Sequence, residues 1–225
     1  MQVRHIELYT KNLSDLKSFY SHQLGFSLLE ESDQHFIMAC GQSHLQFIAS
    51  SQPAYYHFAF NIPSFQSTAA LTWLKDRLSI LKDGQQEIID FRNWNAEAIY
   101  FKDPAGNIVE FIARKNLNLH NTTPFSVSSI LSISEIGISV GNVKSAFDLL
   151  ATKASIPHYW GDQQNFSAAG DEHGLFIIVN KNNKDWYPTN IPAKSFPLKV
   201  TFRNEDQDFT LVYKDETLKV SKQLV

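Results

Sequence analysis

The chain has 225 residues, enough for one large domain or two small ones. A hydrophobic content of 43%, with 17 Phe, 8 Tyr and 4 Trp, supports a large buried core and excludes a disordered chain. A net charge of −3 without a basic block argues against a nucleic-acid or anionic-membrane surface. The single Cys40 excludes an intrachain disulfide and a cysteine zinc site. No apolar run approaches a membrane span and no charged leader precedes one, so the expectation is a cytoplasmic protein.

Residues 3–10 alternate like a strand, and Leu13, Leu16, Phe19, Tyr20 and Leu24 then space as an amphipathic helix stopped by Gly25. Three strand-like runs follow, Phe26–Glu30, His35–Cys40 and His44–Ala49, with polar and glycine turns between them. The pattern restarts with a strand over 55–62 and a helix opened by Pro63-Ser64, whose stripe is Ala70, Trp73, Leu74 and Leu78. Three further runs, Glu87–Phe91, Glu97–Phe101 and Ile108–Ala113, complete the copy. The last two are joined by Asp103-Pro104-Ala105-Gly106-Asn107, which is strong turn chemistry. Residues 1–115 are therefore two β-α-β-β-β units of about 50 residues each.

Three polar residues interrupt these apolar strands. His5 lies in Val3-Arg4-His5-Ile6-Glu7-Leu8-Tyr9, His57 in Tyr55-Tyr56-His57-Phe58-Ala59-Phe60, and Glu110 in Ile108-Val109-Glu110-Phe111-Ile112. Such positions are costly unless something inside the fold satisfies them. Two imidazoles and a carboxylate suit a divalent metal of the Fe(II), Mn(II) or Zn(II) kind, with coordination positions left open. His5 and His57 hold the same place in their units, and Gln46 is the first-unit counterpart of Glu110. Strand alternation puts Glu7 and Tyr9 on the His5 face, and Ala59 and Asn61 on the His57 face. A cup shared by the two units is expected to gather all of these.

A polar linker over 116–129 leads to a third, degenerate copy within 130–225. Ser134–Val140 repeats the first strand, Asn142-Val143 matches Asn12-Leu13, and Ala146, Phe147, Leu149 and Leu150 form a helix face. Glu135 stands where His5 and His57 stand, so this half is expected to be metal-free. The remaining runs are His158–Gln163, Phe166–Gly170, Gly174–Val179, Leu198–Arg203, Phe209–Tyr213 and Thr217–Val220. Gly170-Asp171-Glu172-His173-Gly174 reads as a hairpin turn.

Several of these segments resemble the vicinal oxygen chelate superfamily, which includes glyoxalase I, extradiol ring-cleaving dioxygenases, fosfomycin-modifying enzymes and bleomycin-resistance proteins. The resemblance rests on His5-Ile6-Glu7-Leu8-Tyr9 with Asn12-Leu13, Phe19-Tyr20 and Leu24-Gly25-Phe26, then on His57-Phe58-Ala59-Phe60. Its most specific piece runs from Tyr100 to Phe111 through Asp103-Pro104-Ala105-Gly106-Asn107. It implies an α+β fold in which repeated units form a curved-sheet cup around one divalent metal. His5, His57 and Glu110 would be its ligands, with Gln46 either a fourth ligand or a neutral hydrogen-bonding pocket residue. Tyr100 matches a pocket tyrosine of ring-cleaving and fosfomycin-modifying relatives.

The resemblance does not settle the reaction, because one scaffold hosts unrelated chemistries. A metal-dependent enzyme acting on a small oxygen-rich substrate is expected, and extradiol cleavage of a catechol is the leading specific reaction. Tyr100, Glu7 and His44 are its candidate acid–base groups, and no organic cofactor is implied. Against it, His44 is the one further histidine near the proposed ligands. The alternatives are a fosfomycin-type transferase or hydrolase, and a protein that sequesters a flat aromatic compound without turnover. Trp160, Trp186 and Tyr187 are open between covering the cup and meeting a second subunit in a homodimer.

Overall fold

A computed structural model describes residues 1–223. The first unit is β1 (Gln2–Thr10), α1 (Leu13–Ser18), β2 (Leu28–Glu31), β3 (His35–Cys40) and β4 (Ser43–Ala49). Its helix ends as a wide turn over Phe19–Gln23, and Gly25 at φ +81° takes the left-handed stop read from the sequence. The second unit is β5 (His57–Ile62), α2 (Ser67–Lys75), β6 (Ile80–Leu81), β7 (Ile89–Phe91), β8 (Ala96–Lys102) and β9 (Ile108–Arg114). The third is β10 (Ser132–Val140), α3 (Val143–Ala154), β11 (His158–Trp160), β12 (Phe166–Asp171) and β13 (Gly174–Asn180). A small hairpin, β14 (Asp185–Trp186) and β15 (Ile191–Pro192), precedes a helix-free meander of β16 (Leu198–Asn204), β17 (Gln207–Lys214) and β18 (Thr217–Lys222). No helix among the described residues is long and apolar enough to cross a membrane.

The units do not pair in the order expected. One sheet runs β18-β17-β16-β1-β4-β3-β2, and the other runs β11-β12-β13-β10-β5-β9-β8-β6. The first unit therefore shares a sheet with the C-terminal meander, and the second unit shares one with the third. Both sheets cross the expected division between 1–115 and 130–225. Each is joined at its middle by antiparallel first strands, β1 with β16 and β10 with β5.

The two sheets pack back to back. Ile6, Leu8 and Phe47 of one and Phe58 and Phe60 of the other are fully buried in a single core. Phe47 lies 6.4 Å from Phe58, and Phe26 5.5 Å from Phe60, ring centre to ring centre. Each such buried ring contributes roughly 1.5–3 kcal/mol of transfer free energy. Because side chains alternate along a strand, fixing Ile6 and Phe58 inward sends His5 and His57 outward on opposite sides of the sandwich.

The turn from Asp103 to Asn107 sets the register of the second sheet. The Asp103 carboxylate accepts from Asn107 N, Asn107 Nδ2, Ala105 N and the Tyr20 hydroxyl at 2.7–3.1 Å. Asn107 Oδ1 in turn accepts from Tyr56 N at 2.7 Å, next to His57. Burial pushes the Asp103 carboxyl up to about 6 even with these four donors. We expect Asp103→Ala to leave several buried donors unmatched and to cost about 2–3 kcal/mol. Urea unfolding of the purified variant measures this, and a loss below about 0.5 kcal/mol would show that the turn does not hold the register.

Candidate metal centre

One row of residues crosses the second sheet. The registers pair Glu135 of β10 with Ala59 of β5, Ala59 with Glu110 of β9, and Glu110 with Tyr100 of β8. A register shift between Ile133 and Glu135 places Glu135 on this row. His57 lies two residues before Ala59 and so shares its face. The small side chain of Ala59 leaves a hollow with a carboxylate on either side and the imidazole at one end. His57 Nε2 is 3.6 Å from Glu110 Oε2 and 3.7 Å from Glu135 Oε2, and all three residues are buried. Among the described residues they are the one group of three His, Cys, Asp or Glu side chains close enough to share an ion.

The donor set fits a divalent metal. His57 Nδ1 lies 3.1 Å from the Ile108 carbonyl, which can only accept, so Nδ1 donates to it and Nε2 is the ring nitrogen left facing the carboxylates. Burial raises the Glu110 carboxyl well above its ordinary range, and the neighbouring Glu135 charge raises it further. A cation between the carboxylates would relieve that repulsion. The position in the third unit matching Glu110 is Ile177, because Gly137 pairs with Ile177 as Ala59 pairs with Glu110. The fourth side of the cluster is thus apolar and supplies no further ligand.

A cavity of about 570 Å³ opens onto the cluster, and Tyr100 and Trp94 line it. Tyr100 stacks on His57 at 6.2 Å, and Trp186 covers the same imidazole at 5.5 Å. Gly137 makes that cover feasible, since a Cβ there would lie 2.5 Å from the Trp186 ring. Phe91 and Tyr187 continue the aromatic wall, 6.0 Å apart. Burial raises the Tyr100 hydroxyl well above its ordinary value, with the adjacent Glu110 charge adding to the effect, so it stays protonated. Trp160, Trp186 and Tyr187, left open by the sequence, all line this cavity.

The other expected site residues lie elsewhere. His5 is on the first sheet, where its Nε2 meets Gln46 Oε1 at 3.0 Å, and burial lowers its pKa. The structure does not bring His5 or Gln46 to His57 and Glu110, because the back-to-back packing turns the two faces apart. Glu7 is paired with Lys199 at 2.7 Å, and His44 is exposed beside His5 at 6.1 Å. Neither Glu7 nor His44 lines the cavity. Asn61 shares the His57 face but donates to the Glu172 carbonyl at 3.3 Å. Glu135, read from the sequence as marking a metal-free half, completes the buried cluster. The signal is present at the matching repeat position, where a carboxylate replaces the histidine of the other units and is itself a ligand type.

The profile of the Glyoxalase/Bleomycin resistance protein/Dioxygenase superfamily matches residues 2–111. Over that stretch the chain belongs to this superfamily. No protein of curated function matches the chain. A candidate dioxygenase from Bacillus subtilis strain 168 shares the fold with a TM-score of 0.64 at 13% identity, over 99% of this chain and 84% of that one. A V278E mutant of glyoxalase I from Zea mays aligns at 0.57 with 11% identity, over 96% and 89%. At these identities the likeness extends to the fold alone. Superfamily members typically bind a divalent metal. The matched stretch carries His57 and Glu110, whereas Glu135 lies beyond it.

Proposed function

We propose that this chain is a metal-dependent enzyme acting on a flat, oxygen-rich aromatic molecule, with ring cleavage of a catechol as the leading reaction. The observation that carries the reading is the buried His57, Glu110 and Glu135 cluster at the floor of an aromatic cavity. His57 Nε2 and one carboxylate oxygen each from Glu110 and Glu135 would hold the metal. When bound, a divalent ion there supplies Lewis-acid polarisation of two adjacent substrate oxygens. The chain's own residues do the rest. Trp186, Trp94 and Tyr187 offer faces and edges to a planar ring and exclude water. Tyr100, held protonated beside Glu110, would donate a hydrogen bond to negative charge developing on a substrate oxygen.

A second reading, a binding protein without turnover, draws on one observation. His57 is the one histidine lining the cavity, and it is committed to the cluster. That leaves Tyr100 as the proton-handling group beside it. Anaerobic loading with Fe(II), then oxygen-uptake assays on a catechol panel, separates the readings. Uptake that falls by about 100-fold or more in Tyr100→Phe, the usual range for a lost oxyanion donor, supports the enzyme. Tight catechol binding without uptake supports the second reading, and no response to any catechol overturns both substrate assignments.

A further inference from the structure

Arg114, on β9 four residues after Glu110, is fully buried. Burying a guanidinium costs several kcal/mol unless paired groups compensate it, so its partners indicate what it does. Its Nη2 donates to Glu135 Oε1, and its Nε donates to Ser134 Oγ at 3.2 Å. Its Nη1 has no hydrogen-bond partner and lies 3.7 Å from Glu172 Oε2, which is also unpartnered. The guanidinium sits 5.5 Å from the ring of Trp94, a residue that lines the cavity. Glu172 is held from its other side by Tyr159 and Asn116, at 2.9 and 2.7 Å.

The two oxygens of Glu135 are thereby divided. Oε1 is held by Arg114, and Oε2 faces His57 Nε2 at 3.7 Å. A carboxylate pinned at one oxygen can neither rotate freely nor turn both oxygens to the cluster. Arginine suits this task because its rigid fork binds Ser134 and Glu135 together.

We infer that Arg114 is a positioning residue that presents a single oxygen of Glu135 to the metal and so sets the coordination of the centre. The inference rests on the proposed metal-dependent reading. No sequence signal separates Arg114 from the other basic residues, since its role depends on β9 and β10 flanking β5 in the folded sheet.

The test uses Co(II) alone, titrated into the full chain and followed by calorimetry and by visible absorption. Arg114→Met is expected to weaken binding ten- to hundred-fold, the range for losing an outer partner of a ligand. Its visible bands should also weaken, because a freed second oxygen raises the coordination number. Arg114→Lys keeps the charge without the fork and should fall between the two. Glu172→Gln removes the other neighbour of Arg114 and should change affinity less than about threefold, because Glu135 stays pinned. Wild-type affinity and spectrum in Arg114→Met overturn the inference, as does a loss in Glu172→Gln equal to that in Arg114→Met. If Arg114→Met fails to fold, unchanged affinity and bands in Arg114→Lys overturn it instead. Absence of Co(II) binding by the wild type is a separate result, which removes the metal reading itself.

Discussion

Glu135→Gln should lose more than about 100-fold in Mn(II) affinity, beyond the range for an outer partner, while His5→Ala stays within about twofold of the wild type. The contrast follows from the packing. Glu135 Oε2 lies 3.7 Å from His57 Nε2. His5 meets Gln46 on the opposite side of the sandwich. Glutamine is the substitution to use because it keeps the volume and leaves Arg114 an oxygen to donate to. Alanine would strand a buried guanidinium and cost about 3–5 kcal/mol of stability, confusing the readout. Titration of metal-free protein followed by the Mn(II) electron paramagnetic resonance signal measures both affinities. Loss of binding in His5→Ala with retention in Glu135→Gln would return the centre to a cup between the first two units.

That contrast also marks where the sequence stopped being legible. Apolar periodicity places the longer strands and the three helices within a few residues, because buried residues at alternate or helical spacing specify face and extent locally, whereas the two-residue strands β6, β14 and β15 carry no such pattern. The β-α-β-β-β repeat and the turn at Asp103–Asn107 were equally plain, since their signals lie within short windows. Which unit pairs with which was not local. It depends on β10 meeting β5 antiparallel, 70 to 80 residues away in the chain, while the helix-free meander of β16–β18 covers β1. His57, Glu110 and Tyr100 are legible together as candidates because they belong to one unit. Glu135 and Arg114 act across the seam between units, and Trp186 reaches His57 from a hairpin whose position depends on Gly137 lacking a side chain.

Glu110→Gln should stabilise the metal-free protein at neutral pH while abolishing tight metal binding. Folding buries Glu110 beside Glu135 and raises its carboxyl pKa well above the ordinary 4.5. The sign follows from proton linkage. Below about 4.5 the carboxyl is protonated in both folded and unfolded chains and costs nothing. As pH climbs from there to the raised folded value, the unfolded chain releases the proton first, and the folded protein loses stability. Glutamine cannot ionise, so its advantage should be absent at low pH and grow to about 1–3 kcal/mol near neutrality, the usual cost of an imperfectly satisfied buried polar group. Asp103 titrates in the same direction, but it does so equally in both proteins and cancels in the difference. Divalent metal acts oppositely on the wild type, since it displaces the Glu110 proton, so affinity should rise with pH over the same window. Urea unfolding of both chelator-treated proteins from pH 4.5 upward, with and without Mn(II), reads both effects. Parallel stability curves for the two proteins would mean that Glu110 carries no buried charge. A Glu110→Gln variant that is more stable without metal, less stable than the wild type with it, and unable to bind Mn(II) tightly would locate at this carboxylate the stability that the fold gives up for its metal centre.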